Sequence, residues 1–431
     1  MILRLSDSLS RGLLVAAALL VGLWLSFFSI RAAFARHYTE GDTATQLEMA
    51  VRLEPNNADY LYNLGRFQQY NLEKPDAALA ELTYRTVIAL NPVATDAWLD
   101  LGTAYELDGK TESARQAYLQ AQNSYPTSAD VAWRYGNFLL RQEEQADAYA
   151  QLRRAIAADP QRAAAAYSRA YRNNPDVDQL LAELLPPNQT VYINVISEAL
   201  GAQQLAVAKT LWAHLLTLHP HLQLRDFDPL VSDLLSAHEF TEARQVWDQG
   251  TSTMNLPPLL QLKSSVVWDP SFETDLNGSY FSWQYPQIIQ GVSITLDKSE
   301  KLSGAQSLRL SFDGKHDPNL ETPCTQAVVQ PDTTYRFSGW IRTDRLVSDQ
   351  GVAFRIRAID QHPPVGVSTK QVLGTNPWGF VDQTWTAGPQ IHQVQICVVR
   401  APSENRALRI SGTAWIDDVN LLPQPTEHPK P

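Results

Sequence analysis

Pro92, Pro126 and Pro160 fall at a fixed interval of 34 residues, and each closes an alanine-rich helical stretch. A constant period of this length is the mark of stacked helical hairpins, since one hairpin cannot bury its apolar face alone and needs a neighbour to cover it. Between Pro92 and Pro126, Gly102 and Ala114 are small where two antiparallel helices must approach, and Trp98, Leu101, Tyr105 and Tyr118 are placed to fill the seam between them. These residues are expected in the core and not at a site.

The spacing of Trp98, Leu101, Gly102, Tyr105, Ala114, Tyr118, Ala121 and Pro126 resembles the tetratricopeptide repeat. The preceding copy keeps Leu64, Gly65, Tyr84 and Pro92, with a longer turn around Asn71 to Pro75, and the following one keeps Gly136, Ala148, Leu152, Ala155 and Pro160. Upstream, Leu47, Ala50 and Pro55 look like the second helix of a partial first repeat, whose first helix has to come from the segment before it. Residues 37–160 are therefore read as tetratricopeptide repeats. Residues 161–260 are read as divergent hairpins that continue and cap the array, with helical patterns at Leu205 to Leu218 and Phe227 to Trp247. The resemblance implies a concave groove for a protein partner, lined by the first helix of each pair. Register from Trp98 puts Tyr62, Arg66, Thr103, Glu106, Trp133 and Asn137 on it. Trp133 follows Ala132 at a core position, so it is either an exposed anchor for a partner or is buried by a small rotation of its helix.

At the start of the chain, Arg11 and Arg31 bracket 19 uncharged residues. At about 1.5 Å per helical residue these nearly cross a hydrocarbon core of roughly 30 Å. Residues 1–36 are read as a single-pass anchor in a bacterial inner membrane, with the soluble part in the periplasm or outside the cell. The alternative is a signal peptide and a secreted protein, because Arg4 and Arg11 lead the stretch and Ala33-Phe34-Ala35 is a small-x-small cleavage pattern. Arg31 and Arg36 after the span match Arg4 and Arg11 before it, so charge barely sets the orientation.

From Val266 the text changes to short alternating strands, including Ser307 to Phe312, Thr334 to Thr343, Gly351 to Ile359, His392 to Arg400 and Ala414 to Leu421. The phrases Asp269-Pro270-Ser271-Phe272-Glu273, Ser307-Leu308-Arg309-Leu310, Thr334 to Trp340 and Trp415-Ile416-Asp417-Asp418-Val419 resemble carbohydrate-binding modules of the jelly-roll type. The resemblance covers nearly all of residues 266–423, with a short tail at 424–431. It implies an all-β sandwich and, in many members, a structural calcium, here carried by Glu273 and Asp417, which are otherwise hydrogen-bonded carboxylates at strand ends. Glycan binding needs exposed aromatic faces. The loop-like candidates are Tyr280, Phe281, Tyr285, Trp378 and Phe380, whereas Trp283, Trp340, Trp385 and Trp415 sit in strand phrases and are expected in the core.

Signals for catalysis are poor. Gly109-Lys110-Thr111 imitates the end of a phosphate-binding loop but lacks the first glycine and joins two repeat helices. His214, His219 and His221 have no metal-ligand spacing. Glu273, Asp313, Asp317 and Glu321 would serve as a glycosidase pair only at a separation that sequence does not give. No enzyme activity is expected, nor any cofactor beyond the calcium. The net charge of −11 speaks against a nonspecific nucleic-acid partner. Cys324 and Cys397, the only cysteines, both fall in the sandwich, either bridged or as two buried thiols. The chain reads as a membrane-anchored envelope scaffold that holds a protein partner on the array and a glycan on the sandwich, in polysaccharide assembly or export. The alternative is an adaptor without glycan binding, in which Trp378 and Phe380 are buried against the helices.

Overall fold

The computed structural model describes residues 8–424 except 42, 261, 263, 276, 277, 287, 360–365, 406 and 407; Arg4 and the tail beyond 424 lie outside the described residues. The chain forms two compact units, Met1–Val195 and Ile196–Pro431.

The first unit is helical: α1 (Ser8–Thr39), α2 (Ala44–Leu53), α3 (Ala58–Tyr70), α4 (Ala77–Leu90), α5 (Thr95–Leu107), α6 (Thr111–Ser124), α7 (Ala129–Arg141), α8 (Gln145–Ala158), α9 (Ala163–Asn173) and α10 (Val177–Gln179), which runs into a π-helical turn. Helix α11 (Gln189–Gly201) crosses the unit boundary. Side chains start several helices by accepting from orphan N–H groups: Asn57 caps α3, Asp76 caps α4 and Ser128 caps α7. Each period proline follows a residue that ends a helix, namely Asn91, Tyr125 and Asp159, where a missing N–H costs nothing. Within hairpins the small residues mark close approach. A Cβ on Gly102 would stand 3.0 Å from the Tyr118 ring, and one on Gly136 would stand 2.9 Å from Leu152.

Helix α1 is unbroken from the apolar stretch to Thr39. Its residues from Leu13 to Ile30 are exposed, but Ala35 is buried, as are Leu47 and Ala50 of α2, against which α1 packs. The apolar helix thus supplies the first helix of the first hairpin.

The second unit holds α12 (Leu205–Thr217), α13 (Leu224–Ser236) and α14 (Phe240–Ser252), then ten strands: β1 (Ile288–Ile289), β2 (Val292–Asp297), β3 (Ser307–Asp313), β4 (Leu320–Val328), β5 (Thr334–Val347), β6 (Ala353–Ala358), β7 (Gly366–Ser368), β8 (Gly374–Thr386), β9 (Gln393–Arg400) and β10 (Ser411–Pro423). The pattern read from Phe227 to Trp247 is two helices, parted near His238, whose φ is positive. One antiparallel sheet runs β1-β2-β3-β10-β5-β8 and the other β4-β9-β6-β7. Their facing residues, among them Leu308, Leu310, Phe337, Ile341 and Ile416 from the first and Phe354, Ile356, Val394 and Ile396 from the second, form one core. Cys324 and Cys397 sit opposite each other on β4 and β9 and are joined by a disulfide.

Helices α13 and α14 pack on the segment that leads into the sandwich. Trp247 lies among Trp268 at 5.1 Å, Phe281 at 5.7 Å and Phe227 at 5.8 Å between ring centroids. Arg244 donates to the Val266 carbonyl at 2.7 Å, Ser232 and Tyr280 share a hydroxyl hydrogen bond of 2.7 Å, and Ser279 donates to Asp228. The last three helices therefore belong to the sandwich unit.

Candidate functional site

In the helical unit, the first helices of successive hairpins carry a polar ladder. Asp100 of α5, only 3% exposed, accepts from Tyr62 at 2.8 Å and Tyr70 at 3.2 Å on α3 and from Arg134 at 2.7 Å on α7, with Arg66 at 3.7 Å. Arg134 also donates to Thr103 at 2.7 Å. Arg141 of α7 pairs with Glu106 of α5, and Arg169 of α9 donates to Asn137. The indole of Trp133 is half-buried, with the Arg169 guanidinium 4.6 Å and the Arg162 guanidinium 5.6 Å from a ring centroid. It is neither a bare anchor nor a core residue, because two cations cover it. All six groove residues read from the sequence lie along this ladder. The sequence reading missed Asp100 and Arg134, although they occupy the same place in successive repeats, 34 residues apart and one turn before Thr103 and Asn137.

The sandwich places its five aromatic candidates differently. Phe281 is fully buried on Trp247, Tyr280 is fixed to α13 through Ser232, and Tyr285 packs against the core. Phe281 is therefore a packing residue with no free face for a sugar, whereas Tyr280 and Tyr285 are half-buried. Trp378 and Phe380 are on β8 and not in a loop; Pro377 is tolerated there because β8 is an edge strand with a register shift nearby. Phe380 is 43% exposed and meets Trp340 of β5 edge to face at 5.3 Å. Trp340 is therefore not the core residue expected; it is only half-buried, on the outer face.

That outer face continues across four strands. Trp415 of β10 is in register with Arg309 of β3 and Arg342 of β5, whose guanidiniums lie 5.7 and 5.4 Å from its ring. Arg336 lies 5.1 Å from the Phe380 ring. Each arginine has a carboxylate partner: Asp297 for Arg309, Glu300 for Arg342 and Asp382 for Arg336. The face is thus close to neutral and presents planar polar groups beside aromatic rings.

Asp297 anchors one end of this face. Burial alone would raise its carboxyl, but hydrogen bonds from the Ser299 hydroxyl, the Trp415 indole and the N–H groups of Ser299 and Glu300 outweigh burial and hold it well below the usual carboxylate range. Because the folded pKa is depressed, its contribution is complete above the unfolded pKa near 3.8 and is lost as pH falls below that value. Asp297→Asn is expected to lower stability at pH 7 and to flatten the acid limb of a melting-temperature profile below about pH 4. An unchanged acid limb would remove Asp297 from that role.

Glu273 and Asp417 do come to one place, but each accepts backbone N–H groups: Glu273 from Ala305 at 3.0 Å, Asp417 from Leu302 at 2.9 Å and Ser303 at 3.1 Å. Together they clamp the 302–305 turn. No group of three or more His, Cys, Asp or Glu that could hold a metal occurs among the described residues. The carboxylates considered for glycoside cleavage have structural partners: Asp313 pairs with His316, Asp317 with Arg400 and Glu321 with Arg357.

The sequence model of the tetratricopeptide repeat matches residues 69–129 and 108–163. This part of the chain is a tetratricopeptide-repeat array, and it is followed by a β-sandwich of two antiparallel sheets. No curated protein matches the chain. Among solved structures, pilF of Pseudomonas aeruginosa is similar at 21% identity, over 46% of this chain and 76% of its own, with a TM-score of 0.22. YrrB, described as a TPR protein with an unusual peptide-binding site, is 16% identical over 46% of this chain and 98% of its own, with a TM-score of 0.29. The C-terminal family 22 carbohydrate-binding module of Clostridium thermocellum Xyn10B is 14% identical over 31% of this chain and 82% of its own, with a TM-score of 0.24. Likenesses this distant say nothing about ligands.

Proposed function

We propose that the chain is a non-catalytic scaffold anchored in a bacterial inner membrane, whose repeat groove holds a protein partner and whose sandwich binds glycan in the periplasm, in polysaccharide assembly or export. The observation that carries the glycan part is the open Trp340–Phe380 face. The sandwich does pack on helices, as the adaptor reading requires, but it uses Tyr280, Phe281 and Trp268 and leaves Phe380 exposed. Sugar rings stack their C–H faces on such rings, and the neighbouring arginine–carboxylate pairs supply donors and acceptors for hydroxyls. The anchor is supported by Ala35: cleavage after it would cut α1 inside the first hairpin and remove a residue buried there. A structural calcium at Glu273 and Asp417 stays part of the proposal and would have to displace the N–H groups now on those carboxylates.

Affinity electrophoresis of the full chain in non-ionic detergent, through gels containing single polysaccharides, tests the reading. At least one polysaccharide is expected to retard the wild type and not the Trp340→Ala/Phe380→Ala variant. No retardation by any glycan, from protein shown to be folded, would favour the adaptor.

A further inference from the structure

The charges along the repeat groove are uneven. At the α3–α5 end the buried Asp100 holds Arg66 and Arg134, and Glu106 holds Arg141. On α9 no carboxylate is supplied: among the described residues, Arg169 and Arg172 form no ion pair, and their donors go to Asn137 and to the Ser168 carbonyl. Both arginines are exposed, as is Arg141. Beside them lies a cavity of about 480 Å³ lined by Leu140, Arg141, Glu143, Gln145, Arg172 and Asn173, with Glu143 its single carboxylate. Burial, then the proximity of Arg141 and Arg172, pulls the Arg169 guanidinium below its ordinary range, which is the response of a cation that lacks a counter-charge. This cluster stands out in a chain whose net charge is −11.

We infer that the α7–α9 end of the groove takes an acidic segment of a partner protein, whose carboxylates pair with Arg169 and Arg172. The inference rests on the reading of the groove as a protein-binding surface and names the chemistry of what it binds. Carboxylates meet guanidiniums through two parallel hydrogen bonds, and the field of Arg169 and Arg172 steers an acidic chain to that end. Trp133 lies against the Arg169 guanidinium at 4.6 Å and holds it in place at the end of the groove.

The test is fluorescence anisotropy of labelled decaglutamate with the full chain in non-ionic detergent, with decaglutamine as control. Decaglutamate is expected to bind, more weakly as salt rises, and Arg169→Ala/Arg172→Ala is expected to bind about tenfold more weakly, with an unchanged helical melting curve. Equal binding of decaglutamine, or wild-type affinity in the double variant, would overturn the inference. So would binding of alginate or anionic vesicles through these arginines without binding of decaglutamate. Capture of a neutral or basic peptide by the groove would sink this inference alone, whereas failure of peptides of every charge would sink the protein-partner reading with it.

Discussion

Arg400→Ala is expected to destabilise the sandwich unit by about 3–5 kcal/mol, because removing one member of a buried ion pair strands the other. The Arg400 side chain is 0% exposed at the end of β9 and pairs with Asp317, itself nearly buried. The guanidinium also donates to the Pro318 carbonyl at 2.8 Å and the Ser348 hydroxyl at 2.9 Å, and Asp317 accepts from the Ser403 N–H at 2.7 Å. The Arg400–Asp317 pair therefore ties three separate loops at one end of the sandwich. Chemical denaturation of the full chain, followed by fluorescence of the sandwich tryptophans, reads the effect. A loss under about 1 kcal/mol, the scale of an exposed pair, would show that the pair is not the tie described.

Trp247→Ala is expected to cost about 3–5 kcal/mol, the range for truncating a large buried aromatic, and to loosen α13 and α14 from the sandwich. The indole is fully buried among Phe227, Trp268 and Phe281, and it is the main apolar contact between those helices and the segment leading to β1. Among the described residues its Nε1–H has no hydrogen-bond partner, so Trp247→Phe keeps a ring and loses only an unpaired donor. The phenylalanine variant is expected to lose much less than the alanine variant. Hydrogen exchange along α13 and α14 separates the outcomes: faster exchange in both helices is expected for Trp247→Ala, and unchanged protection would mean that they are held by other contacts.

The repeat array was legible because its signals are local and periodic. Proline after each second helix, and glycine where helices touch, follow from backbone chemistry and recur every 34 residues. The groove ladder was legible in part. Tyr62, Arg66, Thr103, Glu106, Trp133 and Asn137 came from the register, while Asp100 looked like an ordinary acidic helix residue, since burial of a carboxylate depends on partners from two other hairpins. The aromatic face was misjudged for a different reason. Trp340 lies in strand text that looks like core, yet the alternation was there to be read: Tyr335, Phe337 and Ile341 point inward, so Trp340 and Arg342 point outward; Trp415 is buried as expected, beneath Arg309 and Arg342. Phe281 and Tyr280 could not be placed from sequence, because their burial comes from α13 and α14, some 30 to 50 residues upstream. The strand β8 was hidden by Pro377, which argues against a central strand but not against an edge.

Titration of the full chain in non-ionic detergent with bacterial and plant polysaccharides, each with calcium and with chelator and followed by the heat released, tests the central claim most directly. The expected result is saturable binding of at least one polysaccharide by the wild type, lost on changing Phe380 to alanine while the melting temperature is unchanged. Saturable binding that survives Phe380→Ala and Trp340→Ala together would put the glycan elsewhere on the molecule. No heat with any polysaccharide, in calcium or in chelator, would contradict the account and leave a scaffold that binds proteins alone.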